Sequence, residues 1–544
     1  MPPTSSLFRS TPENAKAILD DIEQQFELDQ DALKTITAQF LSDYHLGLKE
    51  YGHPMAMMYG VPDGTETGTF LALDLGGTNL RVCQVELHGN KTFSLRQQKY
   101  RVSEALKTGE ATVLFDYLAD SVDAFLTSSP PASPTNPPAP GDLTEEPPAL
   151  PLGLTFSFPV EQTALDQGYL LTWTKGFAAK NAIGKDVVKL LQDAFDKKHL
   201  HVKCVALVND TVGALLSRAY TAGGCVLGGI FGTGTNGAYV EQIANITKLG
   251  NNTIVAKGGE MIVNTEWGAF NNTRTTLPST PFDNKVDRES INPRFQAFEK
   301  FISGMYLGEI ARNVILSLMD AAPYPILFGG KTTQLINTHY GFDTEIMSLV
   351  EAAWESDDEP TADPIFSGPP ITLAERSTEK GEPIEDAALL DFTKPIFATS
   401  LARITLHRLQ KIRGVLVSKL GYAPAEVTLR DAVVVRWACS IVVRRAASLS
   451  SCAIATSLRQ MGYVTELGSS VQPAPNKGEG RISLGVDGSL IEHYPRFQEH
   501  LRESLRLLVG EEVERRVTIG MAKDGSGVGA ALCALMGSKQ HKSA

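Results

Sequence analysis

An aspartate that follows an apolar run is the residue of this sequence best placed to meet a ligand. Residues Cys204–Val208 are continuously apolar, and Asn209, Asp210 and Thr211 come directly after them. A run of this length is too short for a typical helix and predicts a fully buried strand. Ligands of open α/β sheets gather at the carboxyl ends of the strands, where Asp210 would stand. The alternative is that Asp210 only caps the helix that follows.

Two glycine-rich loops flank this aspartate along the chain. Asp74–Asn79 (D-L-G-G-T-N) follows the apolar run Phe70–Leu73, and Phe231–Gly237 (F-G-T-G-T-N-G) follows Val226–Ile230. After each loop an alternation of apolar and polar residues resumes, so each loop predicts strand, turn and strand. Paired glycines let the backbone approach a ligand, and the amide hydrogens of the turn can face phosphate oxygens. Asp74 could hold Mg²⁺ through water, whereas a plain hairpin turn is the alternative.

The second loop also contains the pattern G-x-G-x-x-G, from Gly232 to Gly237. This pattern marks a dinucleotide site only where it opens a helix. Residues 238–241 (A-Y-V-E) alternate like a strand instead. We therefore interpret the loop as a second phosphate loop.

Hydroxyls, an amine and aromatic rings occur together in a stretch that suits a polyol. Ser157 lies between two phenylalanines, and Thr172–Phe177 reads T-W-T-K-G-F. A sugar site needs donors and acceptors set in a non-polar wall, although the same residues could form a turn with a surface lysine. Glu266 and Glu299 stand beside aromatic residues and are further candidates, with exposed charges as the alternative.

Two further turns of glycine and serine are predicted near the end of the sequence, at Gly485–Ser489 and at Asp524–Gly527. The second precedes a run of small residues, Val528–Leu535, that predicts a helix. A helix N-terminus behind a glycine turn can contact a phosphate or a nucleotide.

The elements that would position these residues follow from periodicity. Helical spacing over residues 33–48 predicts an N-terminal helix, for which Asp29 and Asp31 are available as caps. Asn181–Lys198 predicts an amphipathic helix, and Leu429–Met461 predicts a long helix of the core.

Two segments predict no packed element. Residues 128–151 contain nine prolines, a density that indicates a disordered or extended insertion. Its P-x-x-P spacings could instead serve as a partner motif. Residues 355–395 are rich in Asp, Glu and Pro and predict a surface excursion.

Composition excludes several classes of protein. The chain has 544 residues, 42% of them hydrophobic, and a net charge of −12, which argues against nucleic acid as a partner. Its six cysteines form no C-x-x-C pair, and several lie in apolar runs, which indicates free thiols in a reducing compartment. No complete set of metal ligands is apparent. No signal peptide or apolar run of membrane-spanning length is present, so we expect a soluble, cytoplasmic protein without a membrane partner.

Two loops of the D-L-G-G-T and G-T-G-T-N kind that bracket a strand-end aspartate resemble the actin-like ATPases. The order F-L-A-L-D-L-G-G-T-N-L-R, F-S-F-P-V, W-T-K-G-F, N-D-T-V-G, G-T-G-T-N, N-T-E-W-G is similar to the hexokinase family, over about Leu33–Leu535. The segment Asn264–Glu309 is most similar to the fungal glucokinases of that family. Residues 53–61 depart from the usual proline-rich linker. The resemblance implies an α/β fold of the ribonuclease H-like, actin-like ATPase type, with two lobes and a central cleft for sugar and ATP.

The resemblance also implies roles for individual residues. Asp210 would be the base that accepts the proton of the sugar 6-hydroxyl, and Lys175 would hold the reacting end. The implied sugar ligands are Ser157, Thr174, Lys175, Asn209, Asp210, Asn236, Glu266 and Glu299. The implied contacts to ATP are Asp74, Gly76, Gly77, Thr78, Asn79, Gly232, Thr233, Gly234, Gly525 and Ser526. Mg²⁺ would bind through water near Asp74 and Asp210, without a direct protein ligand.

We divide the chain accordingly. Residues 1–67 would form a helical segment and linker on the large lobe, 68–208 the small lobe, 209–527 the large lobe, and 528–544 a helix that returns to the small lobe. The implied activity is ATP-dependent phosphorylation of glucose by a monomer or homodimer. The alternatives are a broad-specificity hexokinase that also uses mannose and fructose, and an inactive sugar-sensing regulator of the same fold.

Overall fold

The computed structural model describes residues 13–50, 57–59, 61–76, 79–128, 149–173, 176–250, 255–256, 258–356, 400–468, 480–522 and 524–543. Most of the proline-rich stretch and of the predicted excursion at 355–395 lies outside these ranges, as do Gly77, Thr78, Thr174 and Lys175.

Thirteen strands are present in the described part: β1 Met57–Tyr59, β2 Thr67–Leu75, β3 Asn79–His88, β4 Phe93–Arg101, β5 Leu150–Phe156, β6 Val160–Ala164, β7 Gln167–Leu170, β8 Val202–Val208, β9 Leu227–Phe231, β10 Thr235–Gln242, β11 Glu260–Asn264, β12 Ile482–Asp487 and β13 Val517–Met521.

The α-helices of the described part are α1 Glu13–Phe26, α2 Gln30–Lys49, α3 Glu104–Thr108, α4 Ala111–Ser128, α5 Val187–Lys197, α6 Asp210–Ala222, α7 Pro281–Glu289, α8 Ala297–Ile302, α9 Gly304–Met319, α10 Gln334–Asn337, α11 Thr344–Glu355, α12 Ser400–Leu420, α13 Leu429–Gln460, α14 Ser489–His493, α15 Phe497–Val509, α16 Glu511–Arg516 and α17 Gly525–Ser543.

Two sheets of related design organise the molecule. One has the order β4-β3-β2-β5-β8, and the other has the order β1-β11-β10-β9-β12-β13. In each, one strand opens an antiparallel hairpin and pairs in parallel with a later strand on its other side: β2 with β3 and β5, and β9 with β10 and β12. The two predicted glycine loops are the turns of these hairpins.

Helices α6 and α17 lie between the two sheets. α17 packs on β2, β5 and β8, whereas α6 packs on β9 and β12, and the two helices pack on each other. A buried cluster that includes Leu215 and Leu532 fills this layer. A carboxyl-terminal helix that returns to the first sheet supports our division into lobes, which remains a proposal.

Capping decides where several helices begin. Asp29 caps α2, as one of the two predicted candidates, because its side chain accepts from the Ala32 amide. The predicted core helix is confirmed as α13, which begins with a capping box of Thr428 and Asp431. The expectation of a helix from residue 181 was wrong: α5 begins at Val187, after the Asp186 cap, because Gly184 has a φ of +74° that interrupts any earlier helix.

Both predicted turns near the end of the chain need correction. Gly485 to Asp487 belong to β12, and Ser489 already begins α14. Gly525 to Gly527 form the first turn of α17 and do not precede it. Small residues are tolerated in that helix because it is buried against strands, where close approach contributes more than intrinsic propensity.

None of the helices in the described ranges has both the length and the apolar composition that a membrane crossing requires.

All six cysteines are free and buried. Burial raises the pKa of the thiols of Cys83, Cys204, Cys225 and Cys452 to about 12. Since the thiolate is the reactive form, we expect fewer than one of the six thiols to react with a disulfide reagent in the native protein at neutral pH. Thiol titration with and without denaturant checks this, and rapid labelling of one or more thiols per native chain would contradict it.

Candidate active site

The strand-end aspartate is placed by the junction of β8 and α6. Asn209 is the N-cap of α6, and its Oδ1 atom accepts from the Val212 amide at 2.9 Å. Asp210 is the first residue of the helix, is half-buried, and accepts from the Thr211 amide at 3.0 Å. The alternative that Asp210 serves as the cap is therefore wrong. Its carboxylate stands in the first turn of α6, at the positive end of the helix dipole.

One wall of the site contains aromatic rings. Ser157 follows β5 and is half-buried. The Trp173 indole donates to the Ala179 carbonyl at 2.8 Å and packs edge-on against Phe158, with ring centroids 4.9 Å apart. Trp173 also stacks on Phe177 at 5.5 Å. These contacts fix Trp173 and Phe177, which precede and follow the two residues 174 and 175 that lie outside the described ranges.

The other wall, formed by the sheet that contains β10 and β11, holds a carboxylate between two amides. The Asn236 Nδ2 atom donates to Glu266 Oε1 at 3.1 Å and to Asn264 Oδ1 at 2.9 Å. Asn264 Nδ2 donates to the same Glu266 oxygen at 2.6 Å. Glu266 has a φ of +48°, a left-handed conformation that a non-glycine residue adopts at some cost. Asn264 was missed by the sequence analysis, although it stands in the N-T-E-W-G motif.

Glu299 reaches the second glycine loop. Its Oε2 atom accepts from the Thr235 amide at 2.9 Å. Gly268 lies alongside, and a Cβ atom there would be 3.4 Å from the Glu299 Cβ and 2.5 Å from Gln296 Oε1. The predicted ligands Asn236, Glu266 and Glu299 thus surround one end of β10.

The β9–β10 loop is fixed by helix α9. The Gly232 amide donates to the Gly234 carbonyl at 3.0 Å and closes the turn. The carbonyls of Gly232 and Thr233 accept from the first two residues of α9, Gly304 at 2.8 Å and Met305 at 3.2 Å. With its carbonyls engaged by the helix, the loop has the amides of Thr233 and Gly234 as its candidates for a phosphate contact.

The β2–β3 loop ends at a hydrogen-bonded cluster. Gly76 donates its amide to the carbonyl of Asn79, which begins β3. Asp74 is buried, and its Oδ2 atom accepts from Arg81 Nε at 2.9 Å and from the Ser526 hydroxyl at 2.8 Å. Ser526, next to Gly525 in the first turn of α17, therefore contacts a predicted magnesium-site residue directly.

Negative charge exceeds positive charge around these strand ends. Burial raises the pKa of Asp487 at the end of β12, the nearby Asp210 charge adds to this effect, and the Gly488 amide and Arg81 oppose it. Among the described residues, Arg81 interacts with Asp74, Asp487 and Asp524, and Asp210 stands near Asp487. A surplus of carboxylate oxygens suits a divalent cation such as Mg²⁺. Neither Arg81 nor Asp487 was predicted from the sequence to have a role in the site.

Comparison with known proteins agrees with this geometry. Two models described as hexokinase match residues 18–220, and 226–378 with 385–536. A glucokinase of Aspergillus niger is 36% identical, and the match covers 97% of this chain and 99% of the relative. Glucokinase-1 of Saccharomyces cerevisiae is 34% identical, with the same shares covered.

A solved structure of the hexokinase from Schistosoma mansoni complexed with glucose superposes with a TM-score of 0.73 and 31% identity. That match covers 98% of this chain and 99% of the other. The two-lobed α/β, actin-like fold and the expectation of a hexose kinase that uses ATP with Mg²⁺ are confirmed by these matches. The chain belongs to the hexokinase family.

Proposed function

We propose that the protein transfers the γ-phosphoryl group of ATP to the 6-hydroxyl of glucose, with glucose 6-phosphate and ADP as products. The observation that carries this proposal is the hydrogen bond between Glu299, a predicted sugar ligand, and the Thr235 amide beside the phosphate loop. A sugar held by Glu266 and Glu299 would lie next to the loop that faces the phosphates. Phosphoryl transfer needs this alignment more than covalent assistance.

Asp210 acts as the general base in this reaction. As the sugar O6 bonds to the γ-phosphorus, the bond from phosphorus to the bridging oxygen breaks, ADP leaves with that oxygen, and the O6 proton passes to Asp210. Mg²⁺ bound with ATP supplies neutralisation of phosphate charge, and Asp74 and Asp210 would hold it through water. Lys175 would orient the reacting end of the sugar.

The remaining ligands come from both walls. Asn209 uses its Oδ1 atom to cap α6, so it would offer the Nδ2 amide to a sugar hydroxyl. Ser157 and Thr174 would bind from the same wall, whereas Asn236, Glu266 and Glu299 bind from the other. The proposed ATP contacts are Asp74, Gly76, Gly77, Thr78, Asn79, Gly232, Thr233, Gly234, Gly525 and Ser526.

A preference for glucose is supported by the 36% identity to a glucokinase. The free, buried cysteines support a reducing compartment such as the cytoplasm, where the protein would act as a monomer or homodimer. The test is glucose-dependent release of ADP, with kcat/KM compared for glucose, mannose and fructose. Equal values would favour the broad-specificity alternative. Absence of turnover with retained glucose binding would favour the sensor.

We expect glucose to bring the two walls together. The ligands Ser157 and Asn236 belong to segments on different sheets, so sugar binding energy can drive closure and exclude water as a rival acceptor. Small-angle scattering should show a smaller radius of gyration with saturating glucose than without it. A non-binding sugar alcohol at equal concentration is the control, and superimposable profiles with and without glucose would contradict the expectation.

A further inference from the structure

Thr235, the first residue of β10, contacts three segments at once. It is 5% exposed. Its amide donates to Glu299, its hydroxyl donates to the Ile230 carbonyl at 2.9 Å, and the same hydroxyl accepts from the Trp267 indole at 2.9 Å. The segment that contains Glu266 and the segment that contains Glu299 therefore both contact Thr235, which follows the β9–β10 loop.

We propose that the Thr235 hydroxyl is a positioning group that joins the sugar subsite to the phosphate loop, so that each is held in the geometry the other needs. The inference rests on the proposed function, since it takes Glu266 and Glu299 as sugar ligands and residues 232–234 as the phosphate loop. Thr235 is not itself among the proposed ligands of either substrate.

The link to Glu266 passes through the Trp267 ring. A Cβ atom on Gly237 would stand 2.1 Å from that ring, so the indole is confined against the β10 backbone. The ring is 2% exposed, and its N–H group has the Thr235 hydroxyl as partner. A buried donor that loses its partner is costly, so removal of this hydroxyl would displace the ring. Glu266, the preceding residue, would move with it.

The link to the phosphate loop passes through β9. Thr235 pairs with Phe231 at the end of the β9–β10 hairpin. By donating to the carbonyl of the preceding residue, Ile230, its hydroxyl adds a second link between the two strands beside the turn. Residues 232–234 form the turn of that hairpin. A hydroxyl can donate and accept at the same time, whereas a methyl group of similar size can do neither. Valine at this position would therefore fill the space and release both neighbours.

The experiment compares Thr235→Val with Thr235→Ser, which restores the hydroxyl. We expect Thr235→Val to raise the KM values for glucose and for ATP together, each by roughly tenfold, since a buried hydrogen bond to each side is lost. The serine variant should return both values to within about threefold of wild type. Trp267→Phe removes the other partner of the bond and should raise the KM for glucose similarly.

A matched control lies far along the chain. Thr456 is also fully buried, and its hydroxyl donates to the Cys452 carbonyl at 2.8 Å within α13. Thr456→Val should lower thermal stability without a change in either KM. If Thr235→Val does not fold, the single variants Trp267→Phe and Thr235→Ser are compared instead, and only the first should raise the KM for glucose.

The double variant distinguishes coupling from general damage. Thr235→Val and Trp267→Phe remove one shared bond, so their effects on the KM for glucose should not add. Additive effects, a rise in only one KM for Thr235→Val, or equal values for the valine and serine variants would overturn the inference and leave the proposed function intact. A wild-type protein without glucose-dependent ADP release would refute both.

Discussion

Replacement of Asp210 by alanine should lower the turnover of glucose by about 10²–10⁴-fold, the usual contribution of a general base. Glucose binding should stay within a few-fold of wild type, because the hydroxyls of the sugar have other ligands on both walls. The change removes the proton acceptor from the first turn of α6 and leaves the Asn209 cap in place. Steady-state kinetics and calorimetric titration of glucose measure the two quantities separately.

A second aspartate provides the control for this variant. Asp343 also stands at a helix N-terminus, where it caps α11 by accepting from the Ile346 amide at 3.0 Å. Asp343→Ala should cost about 0.5–2 kcal/mol of stability, as lost caps do, with kcat unchanged. Near-normal turnover of Asp210→Ala would rule out Asp210 as the base. A loss of turnover that merely tracks loss of folded protein would do the same.

Gly529→Ala should separate two helices and reduce both stability and activity. A Cβ atom on Gly529 of α17 would stand 2.2 Å from the Gly213 Cα and 2.6 Å from the Gly213 carbonyl oxygen of α6. Neither contact can be relieved by a side-chain rotation, because both atoms belong to the backbone. We expect a loss of about 1–3 kcal/mol in the free energy of unfolding, as in other overpacked cores.

The effect on activity follows from where the two helices begin. Asp210 and Ser526 are each three residues before the crossing glycines, and Ser526 contacts Asp74. A shift of about 1 Å between the helices would move Asp210, the proposed base, relative to Asp74 and the β2–β3 loop, which can cost about 10²-fold in rate. Denaturant melts and kcat under conditions where the variant is folded measure the two effects.

Gly480→Ala is the control for this substitution. Gly480 is exposed, and no described atom lies within 4 Å of the position of an added Cβ. Its effect on stability and on kcat should be close to zero. If Gly529→Ala behaved like Gly480→Ala, the close crossing of α6 and α17 would have no role in aligning the site.

Local patterns were sufficient where a structural feature depends on neighbours in sequence. The apolar runs before Asp74, Asp210 and Phe231 predicted the existence of β2, β8 and β9, because the buried part of such a strand is continuously apolar. The predicted end was correct for β8, whereas β2 continues to Leu75 and β9 includes Phe231. The start of α5 was predicted too early because the spacing of apolar residues carries no information about the backbone φ of Gly184, which is positive. A single residue with a positive φ can end or delay a helix without any change in the apolar pattern.

The first turn of α17 illustrates a different difficulty. Gly525 to Gly527 have low intrinsic helix propensity, and the sequence therefore predicted a turn. In the structure, Thr155 donates its hydroxyl to the Ser526 carbonyl at 2.8 Å, and Ser526 donates to Asp74. Partners more than 370 residues away compensate for the propensity, and such partners are not visible in a local window.

The sequence by itself determined the family, the glycine loops and the set of residue types from which the site is built, because these depend on order and spacing along the chain. Only the tertiary structure decided how each group is used. It gave the capping role to Asn209 and placed Asp210 as the first residue of α6, set Glu266 between two amides, and made Thr235 the meeting point of three segments. The reason is physical: hydrogen bonds between distant segments and backbone contacts at glycines form only when the sheets and helices have packed.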